Sequence, residues 1–263
     1  RAALEQLESF LPLAGRDYAE NRNYDLGPTG HQHVSQLSPW LRSRQIAEPE
    51  VCRRVRERYS WAAAEKFLQE VGWRTYWKGW LELRPGVWRD YLAQRQHDLA
   101  AVERLPDYAR AVHGETGLDA FDFWAKELVE TGYLHNHARM WFASIWIFTL
   151  RLPWSLGADF FLRHLLDGDP ASNTLGWRWV AGLQTIGKHY VASASNIETF
   201  TQGRFGTGLK LAIDPAPIEA GDAVKPKPRE LPNAFLSRWP EGRVGVLVHE
   251  DDASVEEWMP AEA

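Results

Sequence analysis

The sequence predicts an all-α domain over residues 1–210, followed by a mostly extended segment over 211–263. Three observations carry this expectation. Apolar residues recur at three- and four-residue steps through most of the first part, the spacing that gives a helix one apolar face. Strict alternation, the mark of a half-buried strand, is confined to "RVGVLV" at 243–248. After about Lys210 the composition turns to Pro, Ala and charge, as in "DPAPIEAGDAVKPKPRE", too poor in apolar groups to order a core.

The elements follow in order. Apolar steps with helix-forming fillers predict helices over 2–11, 36–46 and 50–83. "LRPGVW" breaks the third at Pro85–Gly86. Helical patterns resume at 88–104, 119–131, 134–151 and 157–166. "GLDAFDFWAKEL" opens with acidic residues, which the positive end of a helix dipole favours, and "RLPWSLG" separates the last two helices. In "DGDPASNTLGWRW" at 167–179, Asp167, Asp169, Pro170, Ser172 and Asn173 are turn and cap formers feeding a further helix start. Trp177 and Trp179, two apart on that helix, point to different sides and do separate jobs.

Composition excludes several classes. The single cysteine, Cys52, rules out an intramolecular disulfide and a four-cysteine metal or iron–sulfur site, and fits a reducing, cytoplasmic setting. No signal peptide is visible. The longest apolar run, Met140 to Leu150, is eleven residues, too short for a bilayer and long enough for a buried helix. A net charge of −5 argues against a globally basic nucleic-acid binder. The charge is uneven: residues 51–100 carry 10 basic and 6 acidic groups, residues 201–263 carry 7 and 11. A local basic face suffices for phosphate contact, although "RRVRER" at 53–58 reads more simply as a solvated helix face. Fourteen tryptophans are a large excess. Core packing accounts for most of them, and a site that stacks flat rings is the sharper reading.

Chemistry-bearing residues gather around "YLHNHARMWFASIWIF". His135 and His137 are two apart, whereas a helix presents metal ligands four apart, so no metal is expected. Arg139 flanks a buried helix and needs an acidic partner, for which Asp167 and Asp169 are both candidates. Neither a Gly-rich phosphate loop nor a G-x-S-x-G elbow occurs.

Taken together, "TGYLHNHARMWFAS", "DGDPASNTLGWRWVAG" and "NIETFTQGRF" resemble the flavin-binding domain of the photolyase/cryptochrome family. "YAENRNY" with "VSQLSPWL" is similar to its phosphate-gripping segment, "QEVGWRTYW" to its lesion-facing helix, and "GETGLDAFDFWAKEL" to its TG-x-x-x-x-D helix. The matches span about 15–205 in the family's order. The α/β antenna domain of a full-length photolyase has no counterpart ahead of Arg1, so the resemblance is to the short branch made of the flavin domain alone.

The resemblance implies an all-α fold around FAD. Asn173 would sit beside the flavin N5, Asp167 would pair with Arg139 against the isoalloxazine edge, and Asp169 would reach ribose or ribityl hydroxyls. Tyr18, Ser35, Leu37 and Ser38 would bind the diphosphate, with Val34 and Gln36 replacing the family's Thr and Arg. Trp177 would be the first electron donor and Trp154 the middle one; 95–112 contains no tryptophan for the outer position. Glu70, Trp73, Asn136, Met140 and Trp179 would form the lesion pocket, with Arg74 and His137 on the DNA.

Asn136 and Met140 match cyclobutane-dimer enzymes, where (6-4) enzymes carry the histidines their proton transfer requires. The implied activity is light-driven repair of cyclobutane pyrimidine dimers by electron transfer from reduced FAD. His137 stands where the family has arginine, so single-stranded DNA, which needs little unstacking, is the favoured partner. A monomer is expected, with no membrane and no metal. The rival is a cryptochrome-like photoreceptor with the same flavin, for which a dimer pocket has no use. A third reading is a flavin-binding subunit without photochemistry.

Overall fold

The computed structural model describes residues 1–216, 218 and 226–230, with single positions at 242, 245, 248, 251 and 253 beyond them. Among the described residues every regular element is helical. The alternating run at 243–248 lies largely outside them.

Helix α1 (Ala2–Phe10) turns Ala3, Leu7 and Phe10 inward, and α2 (Arg16–Asn21) buries Tyr18. Where one helix was expected over 36–46, only α3 (Ser38–Arg42) forms. Gln36 and Arg44 hold φ of 51° and 50°, the left-handed region that a side chain disfavours, and they bound the helix on either side. The expected helix over 50–83 is two, α4 (Glu48–Arg58) and α5 (Trp61–Leu83). Tyr59 and Ser60 are extended, and the Ser60 hydroxyl accepts from the Ala63 N–H, a cap that starts α5 afresh. On α4, Arg53 and Arg54 pair with Glu50, Glu57 and Glu8, the solvated face anticipated for "RRVRER".

The break at Pro85 falls where expected, but α6 (Pro85–Ala100) begins on the proline itself, whose missing N–H costs nothing in a first turn. Helix α7 (Pro106–His113) was not expected; it closes on Gly114 in the left-handed conformation. Helix α8 (Asp119–Thr131) keeps its expected bounds and ends on Gly132 at φ 69°. The apolar stretch after it gives α9 (Asn136–Ser144) and a π-type turn over Ile145–Thr149. Helix α10 (Trp154–His164) starts directly after Pro153, α11 (Pro170–Val180) after Asp169, and α12 (Ala194–Phe200) after Ser193.

Two large apolar cores and one small cluster result. One joins α1, α2, α4 and the first half of α5 around Leu7, Phe10, Val51, Phe67 and Val71. The larger joins α6 to α12 around Trp124, Trp141, Phe142, Trp146 and Phe160, which are among the largest fully buried side chains. Helix α5 is roughly 35 Å long at 1.5 Å per residue, and its second half packs through Trp77, Trp80 and Leu81 on Leu175 of α11. It therefore joins the first core to a small third cluster of Leu81, Val87, Ala171 and Leu175. No helix among the described residues is long and apolar enough to cross a membrane.

Candidate active site

A cavity of about 910 Å³ opens on the seam between the two cores. Tyr18, Leu41, Phe67 and Val71 line it from the first core, and Ala143, Phe161, Leu165 and Trp177 from the second. Its size is at the upper end for a small-molecule site.

Arg139, on the first turns of α9, crosses to the loop ahead of α11. Its two terminal nitrogens donate to the two oxygens of Asp167 at 3.1 and 2.9 Å, and its Nε donates to the Leu134 carbonyl at 2.9 Å. Of the two aspartates left open by the sequence, Asp167 is the partner. Burial pushes the Asp167 carboxyl up, but the Arg139 guanidinium, with help from the Ser38 hydroxyl, holds it below the ordinary aspartate range. Asp169 is used differently. One oxygen caps α11 by accepting from the Ser172 N–H at 2.8 Å, while the other lies 3.6 Å from Arg74 and 3.7 Å from Lys78. Arg74 also faces Glu48 at 3.6 Å, so this cation is drawn inward.

The rest of α11 completes one wall. Asn173 lines the cavity, with its amide nitrogen donating to the Ala158 carbonyl at 2.8 Å. Trp177 is 3% exposed and Trp179 38%, so residues two apart do face different environments. Both line the cavity; Trp179 is stacked on Tyr190 at 5.7 Å. Trp154 lies outside the lining, tilted against Tyr91.

Across from α11, Glu70 and Trp73 of α5 meet Asn136 and Met140 of α9 on the lining. The protein around Glu70 pushes its carboxyl up, an effect only partly offset by Arg22 and Lys66. Tyr18, Ser35 and Ser38 also line the cavity. Leu37 is buried between them, and its N–H donates to the Ser35 hydroxyl at 3.4 Å. His137 is not on the lining: its Nδ1 donates to the Asn23 carbonyl at 3.0 Å and its ring stacks 4.0 Å from Trp141. Asp169, Leu37, Trp154 and His137 are thus the expected site residues that the cavity does not gather.

A buried polar layer behind α9 fixes its first turn. His135 caps the helix by accepting from the His137 N–H, and stacks on His31, which bonds Glu127 at 3.0 Å. Burial lowers His135 to about 4, so it is a neutral acceptor. Among the described residues, no group of three or more His, Cys, Asp or Glu could hold a metal ion.

The lining suits a large, flat, polar-edged cofactor. Ser172 Oγ, Trp177 Nε1, Arg178 Nε and Gln184 Oε1 are buried without a hydrogen-bond partner, and all belong to lining residues. Buried polar atoms are rarely left unpaired, so this concentration marks where a ligand's own donors and acceptors fit. Sequence reasoning missed Tyr76, Trp77, Trp80 and Arg178 on the lining. The signal for the first three was present in "WRTYWKGW", whose rings recur at helical spacing.

Comparison with known proteins agrees with this geometry. The pattern of the FAD binding domain of DNA photolyase matches residues 67–204, more than half the chain. A deoxyribodipyrimidine photo-lyase of Streptomyces griseus is 36% identical over 153 residues, 58% of this chain and 33% of that protein. A class III photolyase of Agrobacterium tumefaciens superposes with a TM-score of 0.59 at 26% identity, over 76% of this chain and 42% of that one. A Synechocystis cryptochrome shares the fold, with a TM-score of 0.64 at 22% identity over 76% of this chain and 43% of that one. The chain thus spans well under half the length of these relatives. It belongs to the FAD-binding domain family of DNA photolyases, and FAD is the cofactor of that domain.

Proposed function

We propose that the protein repairs cyclobutane pyrimidine dimers in DNA with light, preferring single strands, and that residues 1–210 are the repairing unit. The observation that carries this reading is the meeting of Glu70, Trp73, Asn136, Met140 and Trp179 on one open cavity beside the Arg139–Asp167 pair. Reduced FAD, when bound, supplies light-driven electron transfer. Arg139 and Asp167 would hold the edge of its ring system, Asn173 would tune its redox state from the same wall, and Tyr18, Ser35 and Ser38 would hold its diphosphate. Trp177 and Trp154 would serve as electron donors. Glu70 accepts from the pyrimidine N–H of an extruded dimer, and Trp73 and Trp179, 48% and 38% exposed, offer ring faces to it.

The strand preference rests on where the cations point. Arg74 is drawn to Glu48 and Asp169, and His137 to a backbone carbonyl. Neither is then free to hold the duplex while a dimer is flipped, at a cost of roughly a few kcal/mol. Illuminating the purified protein with dimer-containing oligonucleotide and a reductant tests the reading. Dimers should disappear faster from single strands than from duplex, and Glu70→Ala or Trp179→Ala should slow this with flavin retained. Repair of (6-4) products alone, or no dimer loss in light, overturns it.

A further inference from the structure

Four rings form one stripe on α5: Trp73, Tyr76, Trp77 and Trp80, at the spacing of a single helix face. Such a stripe usually faces a core. This one does so only in part: half-buried Trp77 and Trp80 pack against Leu81 and Leu175, while all four rings border the cavity and Trp73 and Tyr76 are 48% and 51% exposed. The dimer pocket proposed above uses only Trp73. The rings are held in place by each other: Trp73 stacks on Trp77 at 5.5 Å, and Tyr76 sets its edge against both at 5.4 and 5.1 Å.

The far end of the stripe is met by the C-terminal segment. Arg84 lies over the Trp80 ring at 4.5 Å and donates to the Pro226 carbonyl, and the Arg229 N–H donates to the Leu83 carbonyl at 2.7 Å. Pro226 joins the cavity lining, while Lys227 and Arg229 stay exposed. The path from Trp73 to Trp80 therefore leads from the dimer pocket to two exposed cations. At 1.5 Å per residue it covers roughly 10 Å, about three base steps of a stacked strand.

We propose that this stripe is a stacking track for unpaired bases adjoining the dimer, with Lys227 and Arg229 taking a backbone phosphate. The ligand is single-stranded DNA flanking the lesion, so the inference rests on, and deepens, the repair reading. Ring faces bind any base, and rings beside cations are the usual composition of a single-strand site. Bases kept in a duplex stay stacked on their neighbours and cannot use the track. This explains how a chain with its inner cations committed elsewhere would still select single strands.

The test is the affinity of the full-length, flavin-loaded protein for labelled oligothymidylates, read by fluorescence anisotropy. The series is an isolated dimer dinucleotide, dimers with two or three flanking thymidines, the same flanks made abasic, and undamaged strands. Intact flanks should tighten binding about tenfold or more over the dinucleotide, and abasic flanks should lose that gain. Trp80→Ala should weaken the flanked strand more than the dinucleotide. Lys227→Ala with Arg229→Ala should leave dinucleotide affinity unchanged and lower the salt slope of the flanked strand by about one. Abasic flanks that bind as well as intact ones, or flanks that add nothing, overturn the track. If the dinucleotide is bound and repaired without any gain from flanks, the repair reading stands and the track falls. If undamaged strands bind through the intact bases but dimers are never repaired, the track stands and the repair reading falls. A protein partner on this face would leave every oligonucleotide no tighter than the dinucleotide, which again overturns the track.

Discussion

Gly157 of α10 and Trp177 of α11 meet so closely that a Cβ at position 157 would lie 2.3 Å from the indole Cη2. The same Cβ would be 3.0 Å from Trp146 Nε1, so two indoles close on the bare backbone at this position. The cavity wall formed by Trp177 therefore depends on the absence of a side chain on the neighbouring helix.

Gly157→Ala should accordingly destabilise the protein, although alanine normally strengthens a helix. Overpacking costs about 1–3 kcal/mol, read as a lower urea midpoint with an unchanged m-value. A variant as stable as the parent would contradict the close approach.

Arg139→Ala should release most of the FAD. Asp167, whose side chain is 5% exposed, would be left as a buried charge without its partner. Breaking a fully buried pair costs about 3–5 kcal/mol, and the 23% exposure of Arg139 puts this one at or below the lower end. Flavin absorbance per protein is the check, and stoichiometric flavin in the variant would refute the pairing role.

Trp177→Phe should slow photoreduction strongly with FAD still bound, because phenylalanine keeps an aromatic ring in the wall but donates electrons poorly. Trp154→Phe should act in the same direction. Time-resolved flavin absorbance under blue light measures both, and parental rates in both variants would mean that electrons enter elsewhere.

Acid should separate Asp167 from Glu70. The folded Asp167 has a lowered pKa, so its contribution to stability is complete above the unfolded value of about 3.9 and is lost as pH falls through the folded one. Glu70 has a raised pKa, so its charge opposes folding at neutral pH and that cost fades on acidification. Glu70→Gln should therefore raise the melting temperature at pH 7 and flatten the fall in dimer affinity on acidification. A lower melting temperature, or an unchanged affinity profile, would reverse this assignment.

The helical class was legible because its periodicity is local, and α8 kept its bounds because an acidic start and Gly132 both mark them. The misjudged boundaries have backbone causes that pattern does not report. Ser60 caps a helix in the middle of an unbroken apolar rhythm, and Gln36 takes a left-handed turn. The Arg139–Asp167 pair was legible as a need for charge compensation; residue pattern left two aspartates open, the family resemblance pointed to Asp167, and the geometry agrees. His137 and Arg74 show the limit of pattern: the one bonds the Asn23 carbonyl and the other faces Glu48, partners that no linear spacing reveals. Tyr76, Trp77 and Trp80 had the right spacing, and periodicity alone does not tell a core face from the wall of a cavity.

Because the two halves of α5 pack into different apolar clusters, the chain length between its ends is a fixed quantity. Inserting or deleting one residue within 61–83 would rotate everything beyond it by about 100°, and between Glu70 and Trp73 it would swing Trp73 to Trp80 out of register with Glu70. Descendants of this sequence can vary the side chains of that helix, but they can change its length only at the Ser60 and Arg84 junctions.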